Sequence, residues 1–212
     1  MFNTADGRTG AADSSATALK RELRKSARRT RDAIDPAVRA AWSARIAERV
    51  LQSPVLEKAE YILCYVSFGS EVMTDGIINH ILEHTDKKVY IPKIIGSEME
   101  FYRITTLQGL QASDWGIREP EGEPDKRFPR ETFAGGPDGN LDDLLVLMPG
   151  IAFDRRRGRI GYGGGFYDRY LAVLGGCRTI ALAYSAQILE RVPVRSFDIR
   201  PERIFTETEE IC

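Results

Sequence analysis

Leu144, Leu145, Val146, Leu147 and Met148 form an unbroken apolar run, and Gly158, Gly161, Gly163, Gly164 and Gly165 follow soon after it. A run that is apolar at every position, rather than at every second one, is the pattern of a strand covered on both faces. Beyond the glycines, Phe166, Tyr170, Leu171 and Leu174 recur at helical spacing. A buried strand, a glycine-rich turn and a helix start, in that order, point to an α/β architecture. The junction also suits an anion. Glycines let successive N–H groups turn toward one cluster of oxygens, and a helix N-terminus adds partial positive charge. Arg159 lies inside the turn and carries a planar, permanently charged fork matched to phosphate. The stretch reads as a phosphate-binding loop, against the plainer alternative of a surface loop whose glycines serve only tight turns. It is neither a Walker loop, since Gly164 and Gly165 stand where Lys and Ser/Thr would, nor a dinucleotide fingerprint, since Phe166 stands at the last glycine position.

With 212 residues the chain is about the length of one domain. A formal net charge of −1 gives no bulk electrostatic case for nucleic acid or an anionic membrane. The expected partners are small molecules, and the expected state is a monomer. Cys64, Cys177 and Cys212 are odd in number and lack CxxC spacing, which excludes a disulfide framework and a metal knuckle. No apolar run approaches the ~18 residues of a membrane span. Residues 1–17, rich in Ala, Gly, Ser and Thr, read as a disordered tail, residues 18–212 as a single domain, and the cytoplasm as its compartment.

Leu19, Leu23, Ala27, Thr30 and Ile34 mark one face of a first helix whose other face is basic. Lys20 and Arg24 stand one turn apart, so both can address one ligand, although a charge run is usually a solvated face. Asp35 caps a second helix with Pro36 at its first position, and Ser53-Pro54 ends it. Strands are predicted over 61–67, 88–92, 99–104, 178–184 and 203–206, with a helix starting at Thr74. Glu71 falls just past a strand's C-terminal end, where open α/β sheets bind ligands. His80 and His84 share a helix face but lack a third ligand. Residues 116–143, punctuated by Pro and Gly, read as one long loop.

The segment Pro149-Gly150-Ile151-Ala152-Phe153-Asp154, with residues 158–171 reading GRIGYGGGFYDRYL, resembles the signature of the 5-formyltetrahydrofolate cyclo-ligase family. Trp115-Gly116-Ile117-Arg118-Glu119-Pro120 is similar to that family's G-I-x-E-P turn. The resemblance implies a three-layer α/β/α fold with a mainly parallel sheet, like the ribose-5-phosphate isomerase and CoA-transferase (NagB/RpiA-like) group. It implies conversion of 5-formyltetrahydrofolate to 5,10-methenyltetrahydrofolate, with ATP as co-substrate and Mg²⁺ as cofactor. ATP would meet Lys20, Arg21, Glu22, Leu23 and Arg24, then Arg159, Ile160, Gly161, Tyr162, Gly163, Gly164, Gly165, Phe166 and Tyr167. Folate would meet Val66, Glu71, Tyr162, Gly163, Gly164, Gly165 and Phe166. Asp168 and Asp198 would hold the metal, and Arg159 and Tyr167 carry the catalytic assignment.

Two positions depart from the family's habit: Phe166 stands where Tyr is usual, and Phe197 where His often precedes the second Asp. The chemistry implied needs no protein nucleophile, in keeping with two His and no triad. Alternatives that remain open are a sugar-phosphate isomerase or CoA-transferase using Glu71, and a divergent relative acting on another substrate. A third is a nucleotide- or RNA-binding module using the first helix with Arg155, Arg156 and Arg157.

Overall fold

The computed structural model describes residues 8–134 and 139–212, with side chains from residue 17 onward. Helices α1 (Arg8–Asp32), α2 (Pro36–Leu51) and α3 (Pro54–Lys58) precede β1 (Tyr61–Cys64) and α4 (Asp75–His84). Then come β2 (Lys88–Ile95), β3 (Glu98–Ile104), β4 (Gln111–Ala112), β5 (Arg118–Glu119) and α5 (Arg130–Phe133). The second half holds β6 (Leu144–Met148), β7 (Ala152–Asp154), β8 (Arg159–Ile160), α6 (Phe166–Leu174), β9 (Arg178–Leu182), β10 (Ile188–Leu189), β11 (Arg203–Phe205) and β12 (Glu210–Ile211).

Seven strands form one sheet in the order β12-β11-β9-β6-β1-β2-β3. Its five central strands run parallel, and β12 and β3 close the edges antiparallel. The period-two rule divides its side chains cleanly between two cores. Ile62, Cys64, Leu145, Leu147, Ile180, Leu182 and Phe205 meet α2, α3 and α4 on one face. Leu63, Leu144, Val146, Met148, Ala181 and Ile204 meet α5 and α6 on the other. Every residue of β6 is buried because both faces are covered, which is why that run has no polar alternation.

Strand β1 ends at Cys64 and β9 at Leu182, short of expectation, while β2 runs on to Ile95; three further differences have local reasons. Helix α1 begins at Arg8, well before the apolar stripe, and so extends through much of the stretch read as a tail; residues 1–7 lie outside the described residues. Ser53 does not merely end α2: its Oγ accepts from Leu56 N at 3.2 Å and caps α3, with Pro54 at the first position. Residues 116–143 are not one structureless loop. They contain β5 and α5, and Phe128 and Phe133 anchor them in the second core beside Tyr61 and Tyr90.

The chain leaves β1 through α4 to pair β2 on one side, while all later parallel strands add on the other side through β6. The order in which strands are added therefore reverses between the parallel strands β1 and β6, and a crevice opens beyond their carboxyl ends. No helix among the described residues is long and apolar enough to cross a membrane.

Candidate functional site

That crevice is a cleft of about 1050 Å³. The chain beyond β1 supplies Tyr65, Val66, Phe68 and Glu71 to it, and the chain beyond β6 supplies Pro149 and the glycine loop. A small second sheet, β10-β7-β8, intervenes between β6 and that loop. Gly158 belongs to its β7–β8 turn, where its N–H donates to Asp154 Oδ1 at 2.8 Å, and so serves the turn rather than an anion. Asp154 also accepts from Arg156 N and Val192 N, which fixes the direction in which the loop departs.

At the loop itself, backbone carbonyls are taken and N–H groups are left over. Arg24 Nε donates to Gly161 O at 2.8 Å, and Arg169 Nη1 donates to Gly164 O at 2.7 Å. The N–H groups of Gly163, Gly164 and Gly165 meet no acceptor among the described residues. Gly163 at φ +110° and Gly165 at φ +67° adopt backbone that L side chains rarely enter, and Gly165 is the N-cap of α6. Unpartnered donors at a helix N-terminus, beside guanidinium groups, suit an anion.

The cations expected there are present, but each is paired. Arg159 Nη2 donates to Asp168 Oδ1 at 2.7 Å, and Lys20 Nζ donates to Asp198 Oδ2. Ile199 N also donates to Asp168 Oδ1, and Arg195 N to Asp198 Oδ2. Two of the expected phosphate ligands, Arg159 and Lys20, are thus the partners of the two expected metal ligands. The second oxygen of each carboxylate has no donor among the described residues. Two carboxylates on one cleft wall fit Mg²⁺, which takes one or two protein carboxylates and completes its shell with water and phosphate. No group of three His, Cys, Asp or Glu gathers among the described residues, so a metal cage made only of protein is absent there.

The first helix divides its predicted ligands by helical phase. Lys20 and Arg24 line the cleft. Leu23 instead packs against Ala27, Ile151, Ile160 and Val192, while Arg21 and Glu22 pair with each other at 3.8 Å in solvent. Those three expected ligands do not reach the cleft. Ile160 and Phe166 line it and also pack into the cores. Tyr167 lies between the cores with its hydroxyl buried and without a partner among the described residues, as is Arg159 Nε. Burial holds the Tyr167 hydroxyl far above its ordinary pKa, so it is a neutral donor.

The other end of the cleft is built around Glu71. The carboxyl is buried, accepting from Phe68 N at 2.8 Å through Oε2 and from the Tyr162 hydroxyl through Oε1. Burial pushes its pKa up, while Tyr162, the Phe68 N–H, Arg31 and Arg28 pull the other way without cancelling the rise. The ring of Tyr162 is 46% exposed on the cleft wall, but its hydroxyl turns inward. There, loss of water and then the charge of Glu71 raise its pKa. Val66, Ile94, Met99, Trp115 and Ile117 supply apolar wall.

One residue here had no assigned role in the sequence. Arg31, only 3% exposed, donates to Ser70 Oγ at 2.9 Å and to the Tyr162 hydroxyl at 3.0 Å. Its signal was its place four residues after Ala27 on the inward stripe of a helix rich in arginine.

Comparison with known proteins identifies relatives of this chain. The model of the 5-formyltetrahydrofolate cyclo-ligase family matches residues 16–207. The chain is 34% identical over 206 residues to the mitochondrial 5-formyltetrahydrofolate cyclo-ligase of Arabidopsis thaliana, covering 88% of this chain and 73% of that one. It is 29% identical over 198 residues to the Mus musculus 5-formyltetrahydrofolate cyclo-ligase, covering 89% and 93%. Among solved structures, the 5,10-methenyltetrahydrofolate synthetase of Aquifex aeolicus is similar with a TM-score of 0.74, 30% identity and 91% of each chain covered. The Mycoplasma pneumoniae synthetase shares the fold at a TM-score of 0.67 and 21% identity, covering 89% of this chain and 98% of that one. A glycine loop on the α/β switch point, a buried carboxyl facing it and a match across nearly the whole chain lead to one conclusion: the chain belongs to the 5-formyltetrahydrofolate cyclo-ligase family of ligases.

Proposed function

We propose that the protein converts 5-formyltetrahydrofolate to 5,10-methenyltetrahydrofolate, using ATP and releasing ADP and phosphate. The observation that carries this reading is the two-ended cleft. Unpartnered loop N–H groups and cations lie at one end, and a buried carboxyl hydrogen-bonded into place lies at the other. Glu71 offers an acceptor to the N–H edge of a reduced pterin, between the apolar walls set by Val66 and Met99.

The formyl group to be activated is an amide, and its resonance resists attack at carbon; direct attack by N10 would also have to expel hydroxide. Transfer of the γ-phosphoryl group to the formyl oxygen forms an O–P bond, breaks the bond to ADP and leaves an electrophilic iminium phosphate. The N10 lone pair then attacks the formyl carbon, N10 gives up its proton, and the C–O bond breaks as phosphate leaves. What this asks of the protein is alignment and charge neutralisation. Gly163, Gly164 and Gly165 donate N–H groups to phosphate oxygens. Arg159, Lys20 and Arg24 neutralise charge, and the neutral Tyr167 hydroxyl is placed to donate. Asp168 and Asp198 would hold Mg²⁺, which when bound screens the phosphates and draws charge from the leaving group. Phosphate entry frees Arg159 and Lys20 from their carboxylates, so the same step presents cations to the nucleotide and oxygens to the metal.

The CoA-transferase alternative is disfavoured because Glu71 is buried with both oxygens already hydrogen-bonded, to the Phe68 N–H and the Tyr162 hydroxyl, which blunts it as a nucleophile. The nucleic-acid alternative is disfavoured because Arg155 is spent on Glu209 at 2.7 Å and Arg157 on Glu202 O at 2.8 Å. Residues 18–212 acting as one ATP- and folate-binding unit of the NagB/RpiA-like group, monomeric and cytoplasmic, complete the proposal. The test is an assay of methenyltetrahydrofolate absorbance with folate, ATP and Mg²⁺ each omitted in turn. The expected result is product only with all three present. Equal product without nucleotide would contradict the mechanism.

A further inference from the structure

Arg31 sits where four segments meet. It belongs to α1, the helix that also carries Lys20 and Arg24. Its Nε donates to Ser70 Oγ in the loop after β1, and Nη1 donates to Gly150 O after β6 at 3.4 Å. The same Nη1 donates to the hydroxyl of Tyr162 in the glycine loop, and the guanidinium carbon stands 5.9 Å from that ring's centre. The Tyr162 hydroxyl donates in turn to Glu71 Oε1, and the Ser70 hydroxyl donates to Asp32 Oδ1. The contacts to Ser70 and Gly150 join scaffold to scaffold. The contact to Tyr162 is different, because that ring lies in the cleft wall between the loop's phosphate donors and the buried carboxyl. Any rearrangement of residues 161–165 around phosphate must move Tyr162, and Tyr162 is the sole side-chain donor to Glu71 among the described residues.

Building on the function proposed above, we infer that Arg31 is a positioning residue that couples the two ends of the cleft through Tyr162. Arg31 holds the tyrosine hydroxyl on Glu71, so nucleotide on the glycine loop sets the carboxyl in the orientation that grips the pterin. Coupling of this kind is a free energy shared between two sites, and it operates equally in both directions. A planar guanidinium with several donors is suited to the task, because it stays anchored on Ser70 while it holds Tyr162.

The test is titration calorimetry on the full chain. 5-Formyltetrahydrofolate is titrated with and without a saturating Mg²⁺ complex of a non-hydrolysable ATP analogue, and the analogue is titrated alone. In the unmodified protein the analogue tightens folate binding by about fivefold or more. In Tyr162→Phe and in Arg31→Met the ratio of the two folate affinities falls toward one, a larger change than either variant makes to the binding of the analogue alone. The double variant loses no more than either single variant, and Arg31→Lys recovers part of the ratio. A merely structural Arg31 would instead weaken both ligands together and add its effect to that of Tyr162→Phe. If Arg31→Met does not fold, Tyr162→Phe alone decides the matter, since its ring is already part-exposed and loses only a hydroxyl. An unchanged ratio in Tyr162→Phe, or a ratio of one in the unmodified protein, overturns the inference while leaving the proposed reaction standing. An unmodified protein that binds neither ligand overturns both.

Discussion

The two ends of the cleft solve opposite electrostatic problems. At the glycine loop, charge is abundant and, on the proposed function, exchangeable: Arg159 with Asp168 and Lys20 with Asp198 are pairs at the cleft wall, each of which would trade its partner for a phosphate or a metal. At the other end a carboxyl, Glu71, is taken out of water and fixed by the Phe68 N–H and by the Tyr162 hydroxyl, which Arg31 holds in turn. An exchangeable set suits a ligand that arrives with several negative charges and a divalent cation. A single desolvated carboxyl suits a neutral, flat heterocycle, because a buried acceptor left unmatched penalises the wrong ring more than a hydrated one does. Helix α1 spans both ends, with Lys20 and Arg24 at one and Arg31 at the other.

If the division is real, substitutions should separate along it. The largest effect is expected from Arg159→Ala, which removes a buried guanidinium and leaves Asp168 without its ion-pair partner. Initial rates should show kcat/KM for ATP falling by about 10²–10³-fold, with the folate dissociation constant measured without nucleotide changing far less. Next comes Glu71→Gln, for which KM for the folate should rise by roughly ten- to a hundredfold while KM for ATP holds. Stability should move the other way. The folded chain binds the Glu71 proton more tightly than the unfolded chain, so this carboxyl favours folding at acid pH and turns against it as pH rises through its raised pKa. Thermal melts should therefore show Glu71→Gln gaining on the unmodified protein as pH increases across that window. Lys20→Met should raise KM for ATP by about tenfold, with a shallower salt dependence. Arg21→Ala, one residue along the same helix, should leave both constants within about twofold. An equal loss in Arg21→Ala and Lys20→Met would break the assignment of the helix face.

How much of this was readable beforehand follows from where the information lies along the chain. The glycine end is nearly contiguous, so residues 159–168 could be read as one cluster, and the i, i+4 spacing brings Lys20 and Arg24 to the same cleft. Glu71 was legible from its place after a buried strand. The pairing of Arg159 with Asp168 was not, because each residue read alone fits a different ligand and only the fold of α6 back onto β8 joins them. Strands β7, β8 and β10 are two or three residues long, too short for an alternating pattern, so the second sheet was invisible. Phe128 and Phe133 lie among prolines and glycines with no period, and only the tertiary core shows them to be anchors. Arg31 was hidden differently: one buried arginine among many solvated ones is distinguished by phase alone.

The most direct test of the two-ended cleft is a crystal structure of the protein with 5-formyltetrahydrofolate, Mg²⁺ and a non-hydrolysable ATP analogue. The account predicts terminal phosphates within hydrogen-bond reach of the Gly163, Gly164 and Gly165 N–H groups, and the pterin edge on Glu71. It also predicts Arg159 and Lys20 turned from their carboxylates toward phosphate. A triphosphate seated away from the glycine loop, or a pterin with no contact to Glu71, would contradict it.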